Sequence, residues 1–550
     1  QPPATAAAQQ RTLGGLVVAF GLVLGIMIGS GTLRSYDVWW HLRLGQDIIA
    51  TNTIALHDSY SHTAPGAYRP PQQWLFEVLQ AACYSIGGDA SLVWIRMLFG
   101  ALSLGLLAWL LVRRRTSYLV AVVAIVLTAS ASMPYMTCRP HLAMPLFLLG
   151  LVSILQHSRR RPGLLWLVPA LFAWWANVHA SFTVGMAVIG VWAVGEVIGK
   201  GDEPLSAGIG FRVNRIPMAL LVIAGSIAGS LVNPVGFGLI TYSLDYLPGG
   251  QFAYHSRTIQ EWMPPNVTAL ETAATSVLLL GGMLALLIRW RHVRLFELLL
   301  GALMVAMGLK WGRSAMHTCI VMAWLAMPVL SNWLEEVSPT LIGWRPGSRP
   351  AAAGVMGIAF AAVMLVSLLS IARPVIAKRA LYTDIYPVAA ADWIVAHDLP
   401  PEMFNPYHWG GYLIHRLYPR CRLFIDGRVD LYGREVYEDW QTVRYAEDVW
   451  EQVLEKYNVQ WGILAEFYDT VGAVKSSSDW EIIYDDGTAV MTIIPLTAGD
   501  ADEVGAQVEE LRALSLYEQA QQNAQVYDAL LELFEQFLGL TEEDASNAHY

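Results

Sequence analysis

Apolar residues run in blocks near 20 long through the first two thirds of the chain, and each block ends in a short polar stretch. Blocks of that length cross a bilayer as helices. The pattern places them at roughly 13–33, 90–112, 117–133, 142–156, 163–176, 181–198, 216–233, 271–289, 294–309, 313–330 and 351–372, about eleven in all. The first block is too long for the core of a signal peptide and reads as a retained helix. The stretch 34–89 departs from this pattern. "SYDVWWHLRLGQDII" and "PQQWLFEVLQAACYSIGG" space their apolar residues as helices do, and "HDSYSHTAPG" between them is turn-rich. They predict two helices lying along the membrane surface, with Trp39, Trp40 and Trp74 at headgroup level.

After residue 372 the pattern changes. "YPVAAADWIVAHD" predicts a short amphipathic helix and "CRLFIDGR" a strand and turn. "AEDVWEQVLEKYN" predicts a helix, and "QWGILAE", "WEIIYDD" and "AVMTIIP" predict strands, so the set describes a small α/β domain. From about 501 two acidic amphipathic helices follow, a pairing suited to a protein partner. The expected organisation is a polytopic helical membrane domain over 1–372, including a first outer loop at 34–89, an extracytoplasmic α/β domain over 373–500, and an acidic helical tail over 501–550.

Composition sharpens this picture. The 550 residues are 55% hydrophobic and only 15% charged, and the net charge is −10. The acidic balance comes from the tail and excludes nucleic acid as a natural partner. The four cysteines have no CxxC spacing, so no zinc site is expected. Arg113–Arg115, Arg159–Arg161, Lys200 with Arg212 and Arg215, Arg289 with Arg291 and Arg294, and Arg345 with Arg349 fall in alternate loops. The positive-inside rule makes those loops cytoplasmic. The other loops and the C-terminal domain then face outward.

Those outward loops also hold the unusual polar residues, and ionisable groups at membrane depth are costly enough to suggest function. Asp37 follows the first helix and precedes Trp40 and His41. It suits a divalent cation or a proton acceptor, or else the N-cap of a helix. Asp58 suits a ligand contact or an Asx turn. "YMTCRPH" offers Arg139 and His141, and "WANVHASF" offers His179. "KWGRSAMH" places Arg313 at the start of a membrane helix. These arginines fit a lipid phosphate, ordinary headgroups or snorkelling. "SRTIQEWMPPN" adds Arg257, Glu261 and Trp262. Carboxylates, guanidiniums and aromatics on one face suit a sugar joined to a lipid by phosphate.

The order of motifs resembles the GT-C glycosyltransferases, and most of all the catalytic subunit of oligosaccharyltransferase. An acid opens the first outer loop, Thr258 to Glu261 spell T-I-x-E, Arg313 follows, and "HWGGY" at 408–412 stands where that family has W-W-D-Y-G. "DxWWHLxxG…DSYSHTxxG…WLFE" is also similar to bacterial GT-C-type proteins of unassigned activity. The resemblance implies a polyprenyl-phosphate sugar donor. It implies Asp37 and Glu261 as catalytic carboxylates and ligands of Mg or Mn, and Arg139, Arg313 and Arg257 on the donor phosphate. It also implies Trp40, His41, Asp58, His141, His179, Trp262, Trp409 and Tyr412 around sugar or acceptor. Two positions depart from the family. Its second outer loop has an acidic pair where this chain has Arg139 and His141, and its motif Asp is Gly410 or Gly411 here. The alternative is a non-catalytic scaffold within a larger membrane complex.

Overall fold

The computed structural model describes residues 4–199, 203–246, 250, 252, 259–337 and 385–493. Arg257, the block 351–372 and the acidic tail lie outside the described residues. Contacts divide the chain into two units, Gln1–Leu56 with Arg69–Thr383, and His57–Tyr68 with Asp384–Tyr550.

The first unit is helical. α1 (Ala4–Gly29) is followed by α2 (Val38–Thr51), α3 (Trp74–Gly87), α4 (Asp89–Arg113), α5 (Tyr118–Ser132) and α6 (Met144–His157). Then come α7 (Leu167–Val178), α8 (Phe182–Ile198), α9 (Ile216–Ser230) and α10 (Gly238–Leu244). α11 (Ala273–Ser276) runs through a π-helical turn into α12 (Gly282–Ile288), before α13 (Leu295–Lys310) and α14 (Ala315–Val337). Every apolar block up to 313–330 meets a helix, and seven helices among the described residues are long and apolar enough to cross a membrane. Leu98, Leu102, Leu220, Leu221 and Leu284 point outward, as side chains facing hydrocarbon do. The chain is a multi-pass membrane protein.

Close approaches at glycine set the packing. Gly21, Gly25 and Gly29 fall four apart on α1, and a Cβ on Gly25 would lie 2.2 Å from the Gly100 carbonyl oxygen of α4. Small residues at this spacing let two membrane helices touch backbone to backbone. α2 and α3 form a similar pair, for a Cβ on Gly45 would lie 2.0 Å from the Glu77 carbonyl oxygen. Both predicted helices therefore exist, but their tryptophans turn to protein partners. Trp39 and Trp40 are buried among protein side chains, and Trp74 donates its indole N–H to Asn177 Oδ1 at 2.6 Å. The apolar face of α2 is spent on α3 rather than on lipid.

The second unit carries a five-stranded mixed sheet in the order β2-β1-β3-β5-β4. The strands are β1 (Glu402–Phe404), β2 (Arg422–Leu423), β3 (Trp461–Ala465), β4 (Glu481–Asp485) and β5 (Ala489–Ile493). β1 is parallel to β2 and to β3, while β5 is antiparallel to β3 and to β4. Its helices are α15 (Val388–Ala396), α16 (Gly410–Leu417), α17 (Gly433–Arg444), α18 (Trp450–Lys456) and α19 (Asp469–Ser476). The two expected helices and the expected strands are present, with β1, α16, α17 and α19 added.

One expectation needs correcting. Residues 57–68 belong to this second unit, not to the outer loop of the membrane domain. Leu423 N donates to Tyr60 O and His62 N donates to Leu423 O, both at 3.0 Å. Asp58 Oδ2 accepts the Ser61 amide at 2.9 Å, which is an Asx turn, and Asp58 Oδ1 accepts Arg428 Nη1 at 2.6 Å. Arg428 also donates Nε and Nη2 to the two oxygens of Asp426, at 2.8 and 2.6 Å. The Tyr432 hydroxyl donates to Asp426 as well. All three charged groups are buried, so Asp58 holds the segment in place and is closed to a ligand.

Burial pushes the Asp426 carboxyl up, but Arg428 beside it prevails and holds it below its ordinary range. Arg428→Met leaves two buried carboxylates without a counter-charge. It is expected to cost the second unit about 3–5 kcal/mol, read as an earlier proteolytic clip of that unit on heating. The depressed Asp426 pKa gives stability that is complete above the ordinary carboxylate value of about 4 and lost as pH falls below it. The same proteolysis between pH 5 and 3 is expected to show that fall, flattened in Asp426→Asn.

Candidate functional site

The polar residues of the first unit gather at one end of its helices. Asp37 stands at the N-cap position of α2, yet its side chain makes no capping bond. It turns instead to Arg139, whose Nη2 lies 2.8 Å from Asp37 Oδ2. Arg139 precedes Pro140, which opens a 3-10 turn, and a residue before proline is forced into extended backbone. Its φ of −123° and ψ of 158° fit that constraint, and they carry the side chain out of the helix line. The other nitrogen, Nη1, donates to Glu261 Oε1 at 3.2 Å and to Oε2 at 3.4 Å. One guanidinium thus holds both predicted catalytic carboxylates.

Glu261 rides on a short 3-10 turn, Gln260–Trp262. The Gly312 amide donates to Met263 O at 2.9 Å, which ties this turn to the start of α14. A Cβ on Gly312 would press on Met263 O at 3.3 Å, so glycine suits the crossing. Arg313 lies over the Trp262 ring at 4.5 Å, and Trp262 stacks on Tyr246 at 5.5 Å. Arg139 first, then Arg313, hold the Glu261 carboxyl below its ordinary range.

Two buried residues that the sequence reading missed brace this arrangement. Arg96, on α4, donates to Thr32 O at 3.0 Å, to Met136 O at 3.3 Å and to Gly31 O. It joins the segment leading to Asp37 with the segment leading to Arg139. Glu77, on α3, accepts His41 Nδ1 at 2.9 Å. Burial, and then the charge of Arg139, hold the His41 imidazole well below its usual range. The imidazole is therefore neutral, with Nδ1–H donating to the carboxylate. Each is a charge flanked by apolar residues within its helix, and that was the one signal in the sequence.

The remaining predicted residues divide. Trp40 is buried, with His41 against its ring at 3.5 Å and Arg69 over it at 4.8 Å. His141 Nε2 donates to Tyr135 O at 2.8 Å, and the Ser181 amide donates to His179 Nδ1 at 3.1 Å. Trp409 and Tyr412 are core residues of the second unit, buried to 2% and 1% exposure. Trp409 donates to Ile385 O at 2.8 Å, and Tyr412 stacks on Tyr386. Their expected contact with a sugar or acceptor is corrected, because packing of α16 consumes both rings.

No protein-family model and no curated protein matches this sequence. Solved structures do. The chain is similar to the Archaeoglobus fulgidus oligosaccharyltransferase in its apo form, with 14% identity and a TM-score of 0.53 over 83% of this chain and 69% of that one. It is similar to archaeal oligosaccharyltransferase AglB from the same organism, in complex with an inhibitory peptide and a dolichol-phosphate. There the identity is 14% and the TM-score 0.52, over 88% of this chain and 74% of that one. The chain has the GT-C fold.

The GT-C resemblance implies a divalent cation between Asp37 and Glu261, and the donor set does not fit one. A hard divalent ion wants about six oxygen ligands, and Arg139 already engages both carboxylates. The guanidinium also offsets part of the negative charge that would attract a dication there. Among the described residues, no three His, Cys, Asp or Glu side chains converge as metal ligands.

The loop that presents Glu261 depends on Trp262. Trp262→Ala removes the surface under Arg313, worth about 1 kcal/mol. Hydrogen exchange of the Gly312 amide, which reports the bond to Met263, is expected to speed by roughly 5- to 10-fold.

Proposed function

We propose that this protein is a GT-C-type membrane glycosyltransferase that takes a sugar from a polyprenyl-phosphate donor and passes it to an acceptor on the outer face of the membrane. The observation that carries this reading is the cluster itself. Asp37, Arg139 and Glu261 are joined by direct contacts at one end of the helical unit, and Arg313 stands on Trp262 beside them. They do so in a fold that one neighbour uses while bound to a dolichol-phosphate.

The chemistry asked of such a cluster is a single displacement. The acceptor oxygen or nitrogen forms a bond to the anomeric carbon while the bond from that carbon to the phosphate oxygen breaks. The acceptor's proton passes to a carboxylate, for which Asp37 is the candidate, and the negative charge goes to the phosphate. Arg139 and Arg313 are placed to receive that charge, since a guanidinium matches phosphate oxygens in pairs. Glu261, half-exposed, is left to contact the acceptor. His41, buried to 2% exposure and fixed by Glu77, braces α2 against α3, and the expected contact with a sugar is corrected.

A scaffold reading has one observation in its favour: both carboxylates are already paired with Arg139. Transfer assays separate the two readings. The purified chain is offered a panel of radiolabelled polyprenyl-phosphate sugars with membrane-lipid, glycan and peptide acceptors. Label is expected to move from at least one donor, and Asp37→Asn is expected to slow it by roughly 10²- to 10⁴-fold. No transfer from any donor, or equal transfer by the variant, rejects this assignment.

A further inference from the structure

We propose that Arg139 is the built-in cation of this site, holding the place between Asp37 and Glu261 that a divalent ion would otherwise take. Three observations meet here. The guanidinium uses a different Nη for each carboxylate, at 2.8 and 3.2 Å, so a single charge bridges both groups. Its backbone is set by Pro140 and its neighbourhood by Arg96, which bonds the carbonyls of Thr32 and Met136 on the two converging segments. A second guanidinium, Arg313, lies over Trp262 beside the pair, so two carboxylates face two fixed positive charges. A dication entering this set would add charge where it is already matched.

The inference deepens the transferase reading and rests on it only for its consequence. In that reading Arg139 aims Asp37 and Glu261 and also supplies positive charge to a leaving phosphate, with no metal to load. The occupancy of the site by Arg139 does not itself depend on which sugar moves, or on whether one does.

Mn²⁺ binding tests it directly. The purified full chain in detergent is titrated with Mn²⁺, and free and bound ion are separated by electron paramagnetic resonance. Wild type is expected to give an isotherm that Asp37→Asn leaves unchanged. Arg139→Gln removes the charge and is expected to bind Mn²⁺ roughly tenfold or more tightly than wild type, an uptake that adding Glu261→Gln abolishes. Arg139→Lys retains the charge and is expected to behave as wild type. A wild-type Mn²⁺ site lost in Asp37→Asn overturns the proposal. So does an Arg139→Gln protein that melts at the wild-type temperature and gains no Mn²⁺. Failure of every sugar donor would reject the transferase reading and leave this binding result standing.

Discussion

The arrangement at the end of the first unit depends on one guanidinium shared by two carboxylates. Asp37 comes from the segment before α2 and Glu261 from the turn before α11, and no backbone pairing brings them together among the described residues. Arg139 does so through side-chain contacts alone. Two carboxylates that approach each other without a cation push each other's pKa up, and one tends to protonate. A guanidinium between them offsets that repulsion, and Arg139 holds the Glu261 carboxyl below its ordinary range. The pairing is therefore an electrostatic condition for the site and not only a contact within it.

Such a condition is useful only if the arginine cannot wander, and the surrounding structure supplies the restraint. Proline fixes the extended backbone at Arg139. Arg96 fastens the chain on both sides by donating to carbonyls that have left their helices. A buried guanidinium that satisfies several backbone carbonyls at once is a strong tie between the two segments. The turn carrying Glu261 is held by the Gly312 amide and by the stack of Arg313, Trp262 and Tyr246. The polar end of the helical unit is thus laid out by hydrogen bonds, while the helices below it are laid out by glycine crossings such as Gly25 on Gly100.

The sequence made the helices legible because a bilayer enforces long apolar blocks, and it made Asp37, Arg139, Glu261 and Arg313 legible because charges between such blocks stand out. It was less informative wherever burial depends on distant partners. β1 is three residues long, too short to show a period. Glu77 and Arg96 sit on helices whose apolar spacing hides a single charge. Trp39 and Trp40 match a headgroup anchor in composition, and only the close crossing of α2 and α3 at Gly45 reveals that protein covers them. Trp409 and Tyr412 occupy a recognisable motif position, yet the packing of α16 makes them core.

The two aspartates of the stretch 34–89 show where that limit lies. Asp37 and Asp58 look alike in sequence, each beside aromatic and histidine residues, and each ends beside an arginine that also holds a second acid. For Asp58 that arginine is Arg428, 370 residues away, and the second acid is Asp426. The side chains of Arg428 and both acids are at most 2% exposed. A triad so buried meets no ligand, and removing one member leaves bare charge in the interior, so its work is structural. Asp37, Arg139 and Glu261 have the same composition but keep 19%, 18% and 47% of their side-chain surface. Water reaches them, their mutual attraction is weaker for it, and an incoming phosphate can compete for Arg139. Equal chemistry at unequal depth separates a bolt from a binding site, and depth was the quantity that the linear sequence did not carry.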